Sequence, residues 1–148
     1  MKSSSFHNWL YREKTMGLLP GFGWMDGGCL TLALAVTAWA RNSSVPASVA
    51  IFYRENGSPD HFLAMFPRAQ RAYSVYVDGD GFASELGVVR KMAQLEGVDG
   101  YVRQATNEEL SGIRNAKHFW EDDDTTLLLT NQLQEQFGML RVPLLRDA

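Results

Sequence analysis

The stretch Gly27-Gly28-Cys29-Leu30-Thr31-Leu32-Ala33-Leu34-Ala35-Val36-Thr37-Ala38-Trp39-Ala40 decides how this chain must fold. Alanine and leucine are strong helix formers, and no glycine or proline interrupts residues 29–40. A surface helix carries an apolar stripe opposite a polar face. Here Leu30, Leu32, Ala33, Leu34, Ala35, Val36, Ala38 and Trp39 cover every face, so protein must surround the helix. The run is too short to cross a bilayer, which takes ~20 apolar residues, and it contains Thr31 and Thr37. It belongs at the centre of a domain. Arg41-Asn42-Ser43-Ser44 ends it.

Downstream, residues 47–53 are rich in β-formers and meet a turn at residues 55–60, Glu-Asn-Gly-Ser-Pro-Asp. A second strand over 61–66, a turn at 67–71 and a third strand over 72–78 predict an antiparallel meander. After Asp80-Gly81 the spacing becomes helical, with Leu86, Val89, Met92 and Leu95 as its stripe. Residues 101–105 fit a further strand, and Thr106-Asn107-Glu108-Glu109 has the form of a capping box opening a helix through about Arg114. A last helix is expected from near Asp124-Thr125, carrying Leu127, Leu128, Leu133 and Phe137 and stopping at Gly138. Upstream, residues 5–14 fit a short helix with Phe6, Trp9 and Leu10 on one side, followed by a glycine-rich loop over 19–28. The order is that of one α+β domain spanning residues 1–148, with a central N-terminal helix packed on a small antiparallel sheet and further helices after it.

An apolar share of 45% and an aromatic share of 11% suit a packed core, which excludes a disordered chain. The net charge of −3 supplies no general attraction to nucleic acid or to an anionic membrane surface, and neither is expected as a partner. A single cysteine cannot form an internal disulfide and excludes thiol-rich zinc clusters; no cofactor or metal is expected. Lys2, three serines, His7 and Asn8 interrupt the first ten residues, so no secretory signal is expected there and the cytoplasm is the expected location.

Cys29 is the chemically loaded residue. At a helix N-terminus, unpaired N–H groups and the helix dipole favour a thiolate, and the same N–H groups can face an oxyanion forming on a carbonyl under attack. Gly27, Gly28 and Trp24 belong to the loop expected to contact substrate there, the two glycines leaving it room. His61 opens a strand. If the intervening turn centres between Ala69 and Gln70, antiparallel pairing sets Asp78 opposite His61; a turn displaced by one residue sets Asp80 there instead, and both aspartates share a face. Asp78 is preferred, because Asp80-Gly81 resembles the start of a turn.

Gly27-Gly28-Cys29 ahead of an alanine- and leucine-rich helix, Asp60-His61-Phe62 opening a strand, and Tyr76-Val77-Asp78-Gly79-Asp80-Gly81 together resemble the papain-like cysteine peptidase superfamily, including its NlpC/P60 and transglutaminase-like branches. The set is also similar to small bacterial and phage proteins that carry an aspartate-rich segment after the histidine. The resemblance covers residues 21–95 and implies a papain-like fold. It further implies a Cys29–His61–Asp78 triad, Asp80 being the alternative acid, and cysteine-dependent acyl chemistry on a protein or peptide: a peptidase, amidase, deamidase or transglutaminase, which could act as an effector. The alternative from another class is an inactive papain-like fold that binds proteins as an inhibitor or adaptor of phage or mobile-element origin. The papain glutamine that donates to the oxyanion has no amide counterpart in residues 22–26, which leaves backbone N–H groups for that task.

Other motifs carry less. Asp78-Gly79-Asp80-Gly81 fails as a calcium loop, since Phe82 and Val89 stand where acidic ligands belong. Glu121 to Asp124 is expected to cap a helix. His118-Phe119-Trp120 is a candidate contact patch and His7 a candidate neighbour of the site.

Overall fold

The computed structural model describes residues 1–148. Its elements run α1 (Ser3–Leu10), α2 (Glu13–Met16), α3 (Cys29–Asn42), β1 (Ser48–Arg54), β2 (Pro59–Phe66), β3 (Val75–Asp78), β4 (Gly81–Ala83), α4 (Glu85–Leu95), β5 (Gly100–Gln104), α5 (Asn107–Ala116) and α6 (Asp123–Phe137). The strands form one antiparallel sheet in the order β4-β3-β2-β1-β5, so the chain is α+β. No helix is long and apolar enough to cross a membrane.

Helix α3 lies inside, as its composition requires: ten of its fourteen residues are buried. Side chains of a strand alternate between faces, and here the alternation sorts the core into two layers. Val49, Ile51, Tyr53 and Phe62 pack with Leu30 and Ala33 of α3, and Ala64, Phe66, Val75 and Val77 join Leu32, Val36 and Trp39 in the same layer. On the opposite face Ala50, Phe52, Leu63, Tyr76 and Val102 pack against Val88 and Met92 of α4. Helix α6 covers the outer side of α3 through Leu129 and Leu133. The Trp39 indole N–H donates to the Gly138 carbonyl at 2.9 Å, which ties the far end of α3 to the end of α6.

Several sequence expectations need correction. The buried stripe of α4 is Val88 and Met92, while Leu86 and Leu95 are exposed, because the sheet lies one position round the helix from the expected face. On α6 the buried leucines are Leu129 and Leu133; Leu127 and Leu128 face outward. That helix starts at Asp123, capped by Asp122, whose carboxylate accepts from the Thr125 N–H at 2.9 Å. The third strand begins at Val75, after a short 3-10 turn over Arg71–Tyr73. Gly81 opens β4, which the sequence pattern had merged into the approach to α4.

Leu32 is 1% exposed at the contact of α3 with the sheet. Leu32→Ala should lower unfolding stability by about 3 kcal/mol, from lost burial and the cavity left behind, read as a lower urea midpoint with an unchanged slope.

Candidate functional site

Cys29 is the first residue of α3, preceded by Gly28 as the N-cap with no capping side chain. The first N–H groups of a helix have no intrahelical acceptor, and those of Cys29, Leu30 and Thr31 find none elsewhere in the chain. The thiol therefore sits beside unpaired donors at the positive end of a fourteen-residue helix.

His61 reaches this point from β2. A bulge between Phe52 and Tyr53 shifts the β1–β2 register beside it, so that Phe52 pairs with His61 and Tyr53 with Pro59. His61 is 2% exposed, and its Nε2 donates to the Asp78 Oδ2 at 2.9 Å. The Cys29 side chain is its neighbour in the same cleft. With Nε2 given to the carboxylate, Nδ1 is the nitrogen left for the thiol. Burial drives the imidazole toward neutrality, yet the hydrogen bond to the Asp78 carboxylate and its charge, with a smaller contribution from the neighbouring Cys29, outweigh it and push the pKa up to about 9.

Asp78 ends β3 with 3% exposure. Its Oδ1 accepts the Asp80 N–H at 2.9 Å, and its Oδ2 is shared by His61 and by Lys91, whose Nζ lies 2.5 Å away. Burial raises the carboxyl pKa, but the His61 hydrogen bond and the Lys91 charge outweigh it and hold the group below its ordinary range. Lys91, on α4, also lies 3.4 Å from the Asp80 carboxylate. Nothing in the sequence pattern singled Lys91 out, since a lysine on an amphipathic helix ordinarily belongs to its solvated face.

The β2–β3 ladder pairs Ala64 with Val77 and Met65 with Tyr76. This is the displaced register, not the one centred between Ala69 and Gln70, and extended by counting it would set Asp80 opposite His61. Asp78 nevertheless makes the contact. The ladder stops at Val77, and the chain turns sharply, with Asp78 paired to Gly81 and Gly79-Asp80 forming the two-residue loop. The turn carries Asp80 out of strand register; its side chain is 39% exposed.

The glycine loop also departs from expectation. A β-carbon on Gly27 would stand 2.6 Å from the Phe22 ring, and one on Gly28 3.1 Å from the Trp24 indole. These glycines make room for the chain's own aromatic side chains, and Gly27 also lines the open cleft beside Cys29. Trp24 is fully buried and gives its N–H to the Leu10 carbonyl at 2.9 Å, so it offers nothing to an oxyanion. His7 is a neighbour at one remove, donating through Nδ1 to the Gly79 carbonyl at 3.0 Å.

A cleft of about 380 Å³ opens over Cys29 and His61. Met25, Met92, Phe119 and Trp120 give it apolar walls, and Asp26, Asp60, Glu96 and His118 bring polar groups to it. The patch His118-Phe119-Trp120 is thus part of the cleft, Phe119 resting edge-on against Phe62 with ring centroids 4.8 Å apart. A larger hollow of about 720 Å³ between α1 and the segment after α6 shares none of these side chains. No protein-family model, curated protein or solved structure matches the chain.

The raised His61 pKa makes stability depend on pH. Below the ordinary value of 6.5 both folded and unfolded chains carry the proton and the contribution is complete; between 6.5 and about 9 the unfolded chain loses it first, so stability declines as pH rises. The slope is at most about 1.4 kcal/mol per pH unit. Asp78 acts in the opposite sense, its contribution being lost as pH falls through its lowered folded value. In urea titrations the stability gap between wild type and His61→Gln should be wide at pH 6.5 and narrow by pH 9.5; equal gaps would contradict the assignment.

Proposed function

We propose that the chain is a papain-like, cysteine-dependent hydrolase or acyl-transferase in which Cys29 is the nucleophile, His61 the proton carrier and Asp78 the residue that orients His61. One observation carries this reading. A buried imidazole, hydrogen-bonded to a buried carboxylate, shares an open cleft with a helix-terminal thiol that sits beside unpaired N–H groups. A core cysteine needs none of these partners.

In the forward half-reaction His61 takes the Cys29 thiol proton, the sulfur attacks the carbonyl carbon of an amide, and the carbonyl π electrons move onto oxygen. The N–H of Cys29, with its neighbours in the first turn, faces the developing oxyanion and replaces a side-chain amide donor. Collapse of the tetrahedral species breaks the C–N bond, His61 gives the amine its proton, and an acyl-thioester remains. Water then adds to the thioester while His61 takes its proton, and the carboxylic acid leaves with the thiol restored. An amine in place of water gives transamidation, and the side-chain amide of glutamine as donor gives deamidation. Throughout, Nε2–H stays on Asp78, which fixes the ring and leaves Nδ1 for the proton transfers.

The cleft suits a peptide-like substrate. Its apolar walls fit aliphatic or aromatic groups, and no lysine or arginine lines it, whereas Asp26, Asp60 and Glu96 do. Asp60 is paired with Arg54 at 2.8 Å; Asp26 and Glu96 have no cationic partner, which favours neutral or basic sequences over acidic ones.

Iodoacetamide should alkylate Cys29 at pH 7 about a hundredfold faster in wild type than in His61→Ala, with Cys29→Ala unlabelled, as read by intact mass. Peptide, isopeptide and glutamine-amide substrates then separate the branches. Equal labelling of wild type and His61→Ala would replace the catalytic reading with that of an inert fold acting by binding.

A further inference from the structure

We propose that Lys91 is a positioning residue of this centre, holding Asp78 as an oriented, already neutralised anion so that His61 can gain and lose its proton without Asp78 taking it. The proposal rests on the Cys29–His61–Asp78 reading above and adds a fourth member to it.

The geometry is specific. Lys91 lies on α4 beside Met92, one turn after Val88, on the side that meets the sheet. Its side chain is 17% exposed, unusually low for lysine, and its ammonium meets the carboxylate oxygen that also accepts from His61. Counting donors onto Asp78 gives Lys91 Nζ and His61 Nε2 on Oδ2 and the Asp80 N–H on Oδ1. Three donors from β2, the β3–β4 turn and α4 hold the carboxylate plane, and removing any one frees it to rotate.

Charge gives Lys91 its effect on the chemistry. A buried carboxylate needs a buried counter-charge, and if His61 were the sole partner it would be locked in the protonated form. Lys91 supplies a permanent positive charge, so Asp78 stays ionised while His61 is neutral. The same charge lies across one shared oxygen from Nε2 and disfavours the imidazolium. Lys91 therefore loosens the grip of Asp78 on the His61 proton while improving the aim of the carboxylate. The other titratable groups around this carboxylate and its His61 partner are Cys29 from α3, on the His61 side, Asp80 from the β3–β4 turn and, farther off, Tyr11 after α1, whose phenol is shifted upward by burial and by Asp80 and Asp78.

The test measures Cys29 alkylation by iodoacetamide from pH 5 to 10, together with the NMR titration of the His61 ring, in wild type, Lys91→Met, Lys91→Gln and Lys91→Arg. Lys91→Met keeps the apolar stem and removes the charge; if it fails to fold, Lys91→Gln carries the comparison. The proposal expects the neutral variants to lose about tenfold in labelling rate at pH 7 and the His61 midpoint to move up by about one pH unit. Lys91→Arg should restore both. A merely structural lysine would change thermal stability and leave the His61 midpoint where it is. Tyr11→Phe should leave the midpoint unmoved. If the neutral variants keep the wild-type rate and midpoint while His61→Ala collapses the rate, Lys91 has no such role and the three-residue reading stands. If His61→Ala labels as wild type does, that reading falls and the Lys91 proposal falls with it.

Discussion

The burial of an apolar helix on all sides is the constraint from which the rest of this molecule follows. Helix α3 has no polar face to offer water, so the sheet covers one side and α6 the other. Of its two hydroxyls, Thr37 returns its O–H to the carbonyls of Ala33 and Leu34 at 2.9 and 3.0 Å, while that of Thr31 is buried without a partner. Both ends are tied to distant parts of the chain. At the C-terminal end the Ser43 hydroxyl accepts the Leu140 N–H at 2.8 Å, and ahead of the N-terminus Trp24 anchors the glycine loop to the end of α1. A helix enclosed in this way can present chemistry at its N-terminus, where the N–H groups of its first turn are still free.

At that terminus the protein accepts the cost of burying charge. His61 and Asp78 are both almost wholly out of water, and an isolated ion in either position would be strongly destabilising. Hydrogen bonds and ion pairs from four different segments compensate: β2, β3, the β3–β4 turn and α4 all contribute a donor or acceptor. The cluster straddles the end of the sheet. By strand alternation His61 shares a face with Leu63 and Asp78 with Tyr76, the α4 side, whereas Cys29 comes from the α3 side. The two layers meet where the β2 strand end passes the start of α3, and the cleft opens there.

Much of this was legible in the residues. The apolar run of α3, the meander and the capping box at Thr106 each announce themselves locally, through propensity, turn chemistry and hydrogen bonds within a few residues. The three residues of the candidate site were identified for related reasons, since a cysteine at a helix start and a histidine and aspartate on facing strands are positional signals. Lys91 carried no such signal. Its importance comes from where α4 lands on the sheet, a long-range packing outcome that leaves the same lysine either solvated or inserted. The packing of Gly28 against a buried Trp24 was hidden for the same reason: glycine records that a β-carbon is unwelcome without saying what stands in its place.

The sequence by itself therefore determined the class of fold and the central position of α3, and it nominated Cys29, His61 and either Asp78 or Asp80 as candidates, because periodicity, helix propensity and helix-end chemistry act over a few residues. Tertiary structure decided the rest. It chose Asp78 over Asp80 by ending the ladder at Val77 and turning the chain through Gly79-Asp80, although the observed β2–β3 register, extended by counting, would set Asp80 opposite His61. It rotated α4 so that Lys91 faces Asp78, and it set Phe119 and Trp120 beside Cys29 to form a cleft wall. Register, helix rotation and the meeting of distant loops depend on the packing of the whole core, and no local window of residues contains that information.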